Sequence, residues 1–177
     1  MVKCLLISGS PRKGNTDFIL SKILEGIKGD GELILLKDKK IHGCTGCLSC
    51  LNRQRCIIND DMTEIMDKMV NSDIIIIGTP NYFGNVTGLL KDFMDRAFPL
   101  YKSKSLKNKK LFLIMVGNGD VKSSEKHLNE AMGGFIYDFE LDLIDSYCFK
   151  AFYPDDVKQD PKSISKINEI IERINSL

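Results

Sequence analysis

The sequence predicts a five-stranded, doubly wound α/β fold with a parallel sheet and helices on both faces. Three observations carry that prediction. Short apolar runs alternate along the chain with stretches of helical period, as in a parallel sheet wrapped by helices. The run Asp73-Ile74-Ile75-Ile76-Ile77-Gly78 is almost wholly apolar, and a strand of that kind needs cover on both faces. The first strand-like run, Lys3-Cys4-Leu5-Leu6-Ile7-Ser8, ends in a polar, glycine-bearing loop that opens a helix.

The elements follow in order. After the first strand, residues 16–27 place Phe18, Ile19, Ile23, Leu24 and Ile27 at helical spacing. Residues 32–36 read as the second strand. Residues 37–59 show neither period and are expected as a long loop, and a loop of that length in a compact domain usually carries a function. Asp60-Asp61 can cap a helix whose apolar face is Met62, Ile65, Met66, Met69 and Val70. The isoleucine run is the third strand, and residues 87–97 are helical. Residues 109–116 form the fourth strand, residues 123–136 a helix and residues 140–149 the fifth strand. Residues 161–174 close the chain as a helix with Pro161 in its first turn.

Bulk properties narrow the function. At 177 residues, one domain over 1–177 is expected, with a cysteine-rich insertion over about 37–60. A net charge of +1 gives no electrostatic reason to expect nucleic acid or an anionic membrane as partner. The apolar runs are far too short to span a bilayer. The opening Met-Val-Lys-Cys lacks a charged and then apolar leader, so a reducing cytoplasm is the expected location. Residues 102–110 carry five lysines, which read as a solvated loop, with a partner-docking patch as the alternative. His42 and His127 stand alone, without ligand spacing, and are expected to be surface or structural residues.

Chemistry enters with Cys44, Cys47, Cys50 and Cys56, spaced C-x2-C-x2-C-x5-C. The compact first three differ from a zinc site built of two separated CxxC pairs. They fit an iron–sulfur cluster, which takes four cysteine ligands. Gly43 and Gly46 allow unusual backbone angles, and Thr45 and Ser49 are small. Reduced thiols with one redox-active CxxC, or a zinc site, are the alternatives. Cys4 and Cys148 lie in apolar runs and are expected in the core.

The loop Gly9-Ser10-Pro11-Arg12-Lys13-Gly14-Asn15-Thr16 leads into a helix N-terminus, where backbone N–H groups and the helix dipole favour an anion. Ser10, Asn15 and Thr16 add side-chain donors and Arg12 a charged one. The spacing nearly matches a nucleoside-triphosphate loop, but Asn15 stands where that loop needs lysine, which favours a single terminal phosphate. The dinucleotide pattern G-x-G-x-x-G is also missing. In a sheet of order 2-1-3-4-5, ligands bind beyond the carboxyl ends of strands 1 and 3. The third strand there delivers Pro80, Asn81, Tyr82, Phe83, Gly84 and Asn85, an aromatic pair with polar neighbours that suits a flat ring system. The fourth delivers Gly117, Asn118 and Gly119. A monophosphate and a flat ring on such a sheet suggest FMN.

These motifs resemble the NADPH-dependent FMN reductase group of flavodoxin-like proteins and, within it, the iron–sulfur flavoproteins. The resemblance rests on the Gly9 to Thr16 loop, on Cys44 to Cys56 followed by Asp60-Asp61-Met62, and on Pro80 to Asn85 leading into Asp92-Phe93-Met94-Asp95-Arg96. It implies FMN held with its phosphate at Ser10, Arg12, Asn15 and Thr16 and its ring against Pro80 to Asn85, near Gly117 to Gly119. It implies a [4Fe–4S] cluster on Cys44, Cys47, Cys50 and Cys56, electron exchange between the two groups, and homodimers or homotetramers. Either NAD(P)H or a ferredoxin would serve as electron donor, with a small molecule or a protein as acceptor. The alternative within the group is a cluster-free NAD(P)H-dependent oxidoreductase acting on FMN or quinones. Outside it stand a nucleotide-binding kinase, disfavoured by the missing lysine, and a zinc-stabilised interaction module.

Overall fold

The computed structural model describes residues 1–53 and 55–177. Five strands alternate with helices: β1 Lys3–Ser8, α1 Asn15–Gly26, β2 Asp30–Leu35, α2 Cys50–Arg53, α3 Met62–Asn71, β3 Ile74–Pro80, α4 Gly88–Arg96, β4 Lys110–Gly117, α5 Val121–Asp138, β5 Asp142–Lys150, α6 Asp156–Gln159 and α7 Pro161–Asn175. All strand pairings are parallel and the sheet order is β2-β1-β3-β4-β5. The expected order and class are therefore present. The short helices α2 and α6 were not expected, because four residues are too few to display a helical period.

The strict alternation of a strand divides the core in two. Leu5, Ile7, Ile75, Ile77, Leu111 and Leu113 point to the face covered by α3, α4 and α5. Cys4, Leu6, Ile74, Ile76, Phe112 and Ile114 point to the face covered by α1, α6 and α7. Consecutive isoleucines in β3 thus serve opposite faces, which is why the run carries no polar residue between Ile74 and Ile77.

This topology fixes where a ligand can sit. After β2 the chain crosses back over β1 to place β3 on its far side, so the connections leaving β1 and β3 diverge to opposite faces and leave a crevice at their carboxyl ends. Backbone bonds carry the sheet into the loops there. Gly9 N–H donates to Gly78 O (2.8 Å), Asn81 N–H to Val116 O (2.7 Å) and Ala151 N–H to Gly117 O (2.9 Å). No helix among the described residues is long and apolar enough to cross a membrane.

Candidate functional site

Two loop systems, one at each end of α4, contain the residues singled out by sequence. The first lies at the sheet edge. Thr87, the N-cap of α4, donates its hydroxyl to Gly9 O (2.6 Å) and accepts Leu90 N–H (3.2 Å). One side chain therefore caps α4 and ties the loop after β3 to the loop after β1. Ser10 is buried and donates its hydroxyl to Arg12 O (2.7 Å), closing the turn that precedes α1. Asn15 is also buried. Its amide donates to Tyr153 O (2.8 Å) and accepts Val157 N–H (3.2 Å), so it joins α1 to the segment after β5. Thr16 is buried beneath it, and Arg12 donates to Phe152 O (3.3 Å) at the surface.

With Asn15 engaged in this way, the backbone N–H groups at the start of α1 have no side-chain cap. Side chains cap α4, α5 and α7 (Thr87, Asp120 and Asp160), whereas none caps α1 at Gly14. A Cβ built on Gly14 would meet only Arg12 Nε, at 3.9 Å, so the approach to this helix end is open. Behind it, Asp17 accepts Ser8 Oγ–H (2.6 Å) and pairs with Lys37. That pair neutralises a buried carboxylate in the first turn, and sequence reading missed it.

The loop after β3 turns at Phe83 (φ 54°) and Gly84 (φ 74°) and is closed by mutual backbone bonds between Tyr82 and Asn85 (2.9 and 3.0 Å). Asn81 Oδ1 accepts Gly84 N–H (2.9 Å) and Asn85 Oδ1 accepts Val86 N–H (2.8 Å). The turn leaves Phe83 fully exposed and Tyr82 partly so, and Pro80 ends the strand beneath them. Gly117 serves packing here, since a Cβ would meet Asn81 Cβ at 2.8 Å, while Asn118 and Gly119 continue the edge toward α5. His127 of α5 packs its ring on Gly84, and its buried Nδ1 has no partner among the described residues. An open helix N-terminus beside an exposed aromatic turn fits an anionic group joined to a flat ring.

The second system is the cysteine loop. Cys44, Cys47, Cys50 and Cys56 line one small cavity of about 40 Å³, together with Arg96, Phe98 and Pro99. All four are free thiols, and among the described residues no three His, Cys, Asp or Glu side chains already stand at metal-binding geometry. Hydrogen bonds from Ser49 lower the Cys47 thiol pKa. Burial raises that of Cys50, with the other three cysteines adding to the effect. Cys4 and Cys148, in contrast, are core residues pushed up by desolvation to about 11. Backbone φ is positive at Gly46 (65°), as expected for that glycine, and also at Leu48 (58°), so Cys47 sits between two left-handed residues.

What anchors this loop is a buried ion pair that sequence reading did not find. Arg96, 1% exposed, gives Nη1 to Asp60 Oδ2 (2.6 Å) and His42 O (2.6 Å), and Nη2 to Asp60 Oδ1 (2.9 Å) and Ile58 O (3.5 Å). Burial opposes charge on Asp60. Bonds from Arg96 and from the N–H groups of His42 and Met62 outweigh it and hold the carboxyl below the usual carboxylate range. Asp60 does help start α3, through Met62 N–H (3.1 Å), but its main partner is Arg96. A signal was present in the sequence: Leu90, Phe93 and Ala97 make the buried stripe of α4, and Arg96 falls within it.

The lysine-rich tract is largely engaged within the chain. Lys102 donates to Leu51 O (2.9 Å) in α2, Lys104 and Lys107 flank Glu140, Lys109 donates to Ser72 O and Lys110 to Leu177 O (3.2 Å).

The chain is similar to several known proteins. An iron–sulfur flavoprotein of Archaeoglobus fulgidus is 48% identical over 99 residues, covering 54% of this chain and 49% of that protein. One from Methanocaldococcus jannaschii is 42% identical over 120 residues, covering 66% of this chain and 62% of that protein. The chain thus spans about half to two thirds of the length of these relatives. Among solved structures, a flavone reductase (TM-score 0.77, 21% identity, 99% of this chain and 62% of that one) and an NADH:FMN oxidoreductase (0.72, 21%, 99% and 89%) share the fold. Residues 2–137 match the NADPH-dependent FMN reductase family, and the chain belongs to that family.

Proposed function

We propose that this chain is an FMN-dependent redox protein that exchanges electrons between FMN, held at the sheet edge, and a [4Fe–4S] cluster on Cys44, Cys47, Cys50 and Cys56. The single observation that carries the reading is the convergence of all four cysteines on one cavity, buttressed by the Arg96–Asp60 pair, at the far end of the helix whose start joins the two flavin loops. Bound FMN would supply two-electron hydride chemistry and single-electron release, and a bound cluster single-electron transfer.

The chain's own residues do the rest. Backbone N–H groups at the start of α1 bind the phosphate, with Ser10 and Asn15 holding the loop in shape and Arg12 adding charge at the rim. Thr16 fills the floor, and Tyr82 and Phe83 offer their faces to the ring over Pro80. Asn81 and Asn85 fix the turn by their own backbone bonds, and Gly84, Gly117, Asn118 and Gly119 complete the edge. The nine residues of α4 put the two anchors, Thr87 and Arg96, about 13 Å apart along the helix, at 1.5 Å per residue. The reading requires free thiols and hence a reducing compartment such as the cytoplasm. It allows NAD(P)H or a reduced ferredoxin as donor and a homo-oligomer as the working form, and it treats 1–177 as one domain.

A second reading omits the cluster, leaving an NAD(P)H-dependent FMN or quinone oxidoreductase. Its support is a Bacillus subtilis protein named an NAD(P)H-dependent FMN-containing oxidoreductase, 24% identical over 99% of this chain and 100% of that protein.

FMN, iron and acid-labile sulfide per chain, measured on protein purified without oxygen, decide between the two. About four irons and four sulfides beside one FMN are expected. One FMN without iron leaves the second reading, and no FMN overturns both.

A further inference from the structure

We propose that Arg96 is the positioning residue of the cysteine site: its Nη groups clasp both arms of the loop, and its Nε–H donates a hydrogen bond to sulfur at Cys56 when a cluster is bound. The inference rests on the cluster reading above and adds a donor to it.

The geometry accounts for all five guanidinium protons. Four belong to Nη1 and Nη2, which meet His42 O, Ile58 O and both oxygens of Asp60. His42 lies two residues before the first cysteine and Ile58 two residues after the last, so one planar group closes the neck of the loop. The fifth proton is on Nε, which is buried and has no acceptor among the described residues. A buried unpaired donor costs about 1–3 kcal/mol and calls for an explanation. Arg96 lines the cavity that holds all four thiols; of the other side-chain acceptors there, Asp95 is paired with Lys91 and Thr45 is exposed, and Cys56 is the thiol that acts on the Arg96 guanidinium. Hydrogen bonds to the sulfurs of an iron–sulfur cluster, and positive charge beside it, raise its reduction potential. Lysine at 96 would keep the charge but lose both the fork and the fixed Nε proton.

The test uses the full chain, loaded anaerobically with iron and sulfide. Cluster retention against a chelator and the cluster potential are compared in wild type, Arg96→Lys and the double variant Arg96→Gln/Asp60→Asn. The double variant leaves no buried unpaired carboxylate if the single changes fail to fold. Circular dichroism and FMN uptake check the fold independently. Both variants are expected to bind iron about 10–100-fold more weakly. At a fixed potential their reduced-to-oxidised ratio should fall about tenfold, which is about 59 mV for one electron. In protein labelled with ¹⁵N in arginine only, the reduced wild-type cluster should couple to one ¹⁵N nucleus, and Arg96→Lys should abolish that coupling. Wild-type potential and retention in both variants, or a coupling that survives Arg96→Lys, overturns the inference and leaves the cluster reading intact. A wild type that binds FMN but no iron overturns the cluster reading, and the inference with it.

Discussion

The two ends of α4 hold their loops by opposite means. At Thr87 the contacts are neutral: a hydroxyl, two backbone groups and a turn locked by its own backbone bonds. At Arg96 the loop is held by a buried charge pair with backbone carbonyls around it. Neutral bonds of this kind contribute about 0.5–1.5 kcal/mol each, and a buried neutral group left without its partner costs about 1–3 kcal/mol. A buried ion pair contributes little net stability, yet removing one member leaves an uncompensated charge. The sheet edge is thus built by many small terms, while the cysteine loop depends on one large one.

Breaking the large term should therefore have the largest effect. Arg96→Met strands the Asp60 carboxylate in the core and should destabilise the protein by about 3–5 kcal/mol at neutral pH, measured by denaturant unfolding. The sign of the pH dependence sharpens the test. In wild type the folded pKa of Asp60 is depressed, so its contribution is present above the unfolded value of about 3.9 and is lost as pH falls through the folded one. Without the guanidinium, burial is opposed only by the N–H groups of His42 and Met62, and the pKa is expected to rise instead. The contribution is then present below about 3.9 and is lost as pH rises through the folded value. The stability gap between the two proteins should open as pH rises through the depressed wild-type value and keep widening above about pH 4. A gap that is flat above about pH 4 would mean that Asp60 is solvated once Arg96 is gone.

A smaller break lies at the other end. Thr87→Ala removes the cap of α4 and the hydroxyl bonded to Gly9 O, and should cost about 1–2 kcal/mol in unfolding experiments. Because Thr87 joins the two loops, FMN retention should weaken while iron content stays as in wild type. Equal losses of both would mean that the two ends of α4 do not act separately.

The difference between the ends also explains what the sequence made legible. Strand order, the two-sided core and the loops at the sheet edge could be read because each is written in consecutive residues: an apolar run, then a turn, then a helical period. The four cysteines were visible for the same reason. The Arg96–Asp60 pair was not, because its members are 36 residues apart and Asp60 also satisfies a local pattern, that of a helix start. The tie from Asn15 to Tyr153 and Val157 spans the chain and leaves no local trace. The lysine tract resisted reading because its partners, Leu51, Ser72, Glu140 and Leu177, are scattered along the sequence.

The finest comparison is between one glycine from each region. Gly46 and Gly84 both have left-handed backbone, at φ 65° and 74°. Alanine in that conformation costs roughly 1 kcal/mol from steric strain alone. The surroundings separate the two. A Cβ on Gly46 would meet nothing within 4 Å, whereas a Cβ on Gly84 would lie 3.2 Å from the His127 ring. Gly46→Ala should show the strain only. Gly84→Ala should add the displacement of His127, and any shift of the Tyr82–Asn85 turn would reach, through Phe83, the face proposed for the ring. Unfolding free energies should then rank Gly84→Ala as the more damaging change, and FMN affinity should fall for that variant alone. If the two substitutions prove equal, His127 yields freely and the turn does not depend on its contact with α5. The neutral region would then be more adaptable than its hydrogen bonds imply.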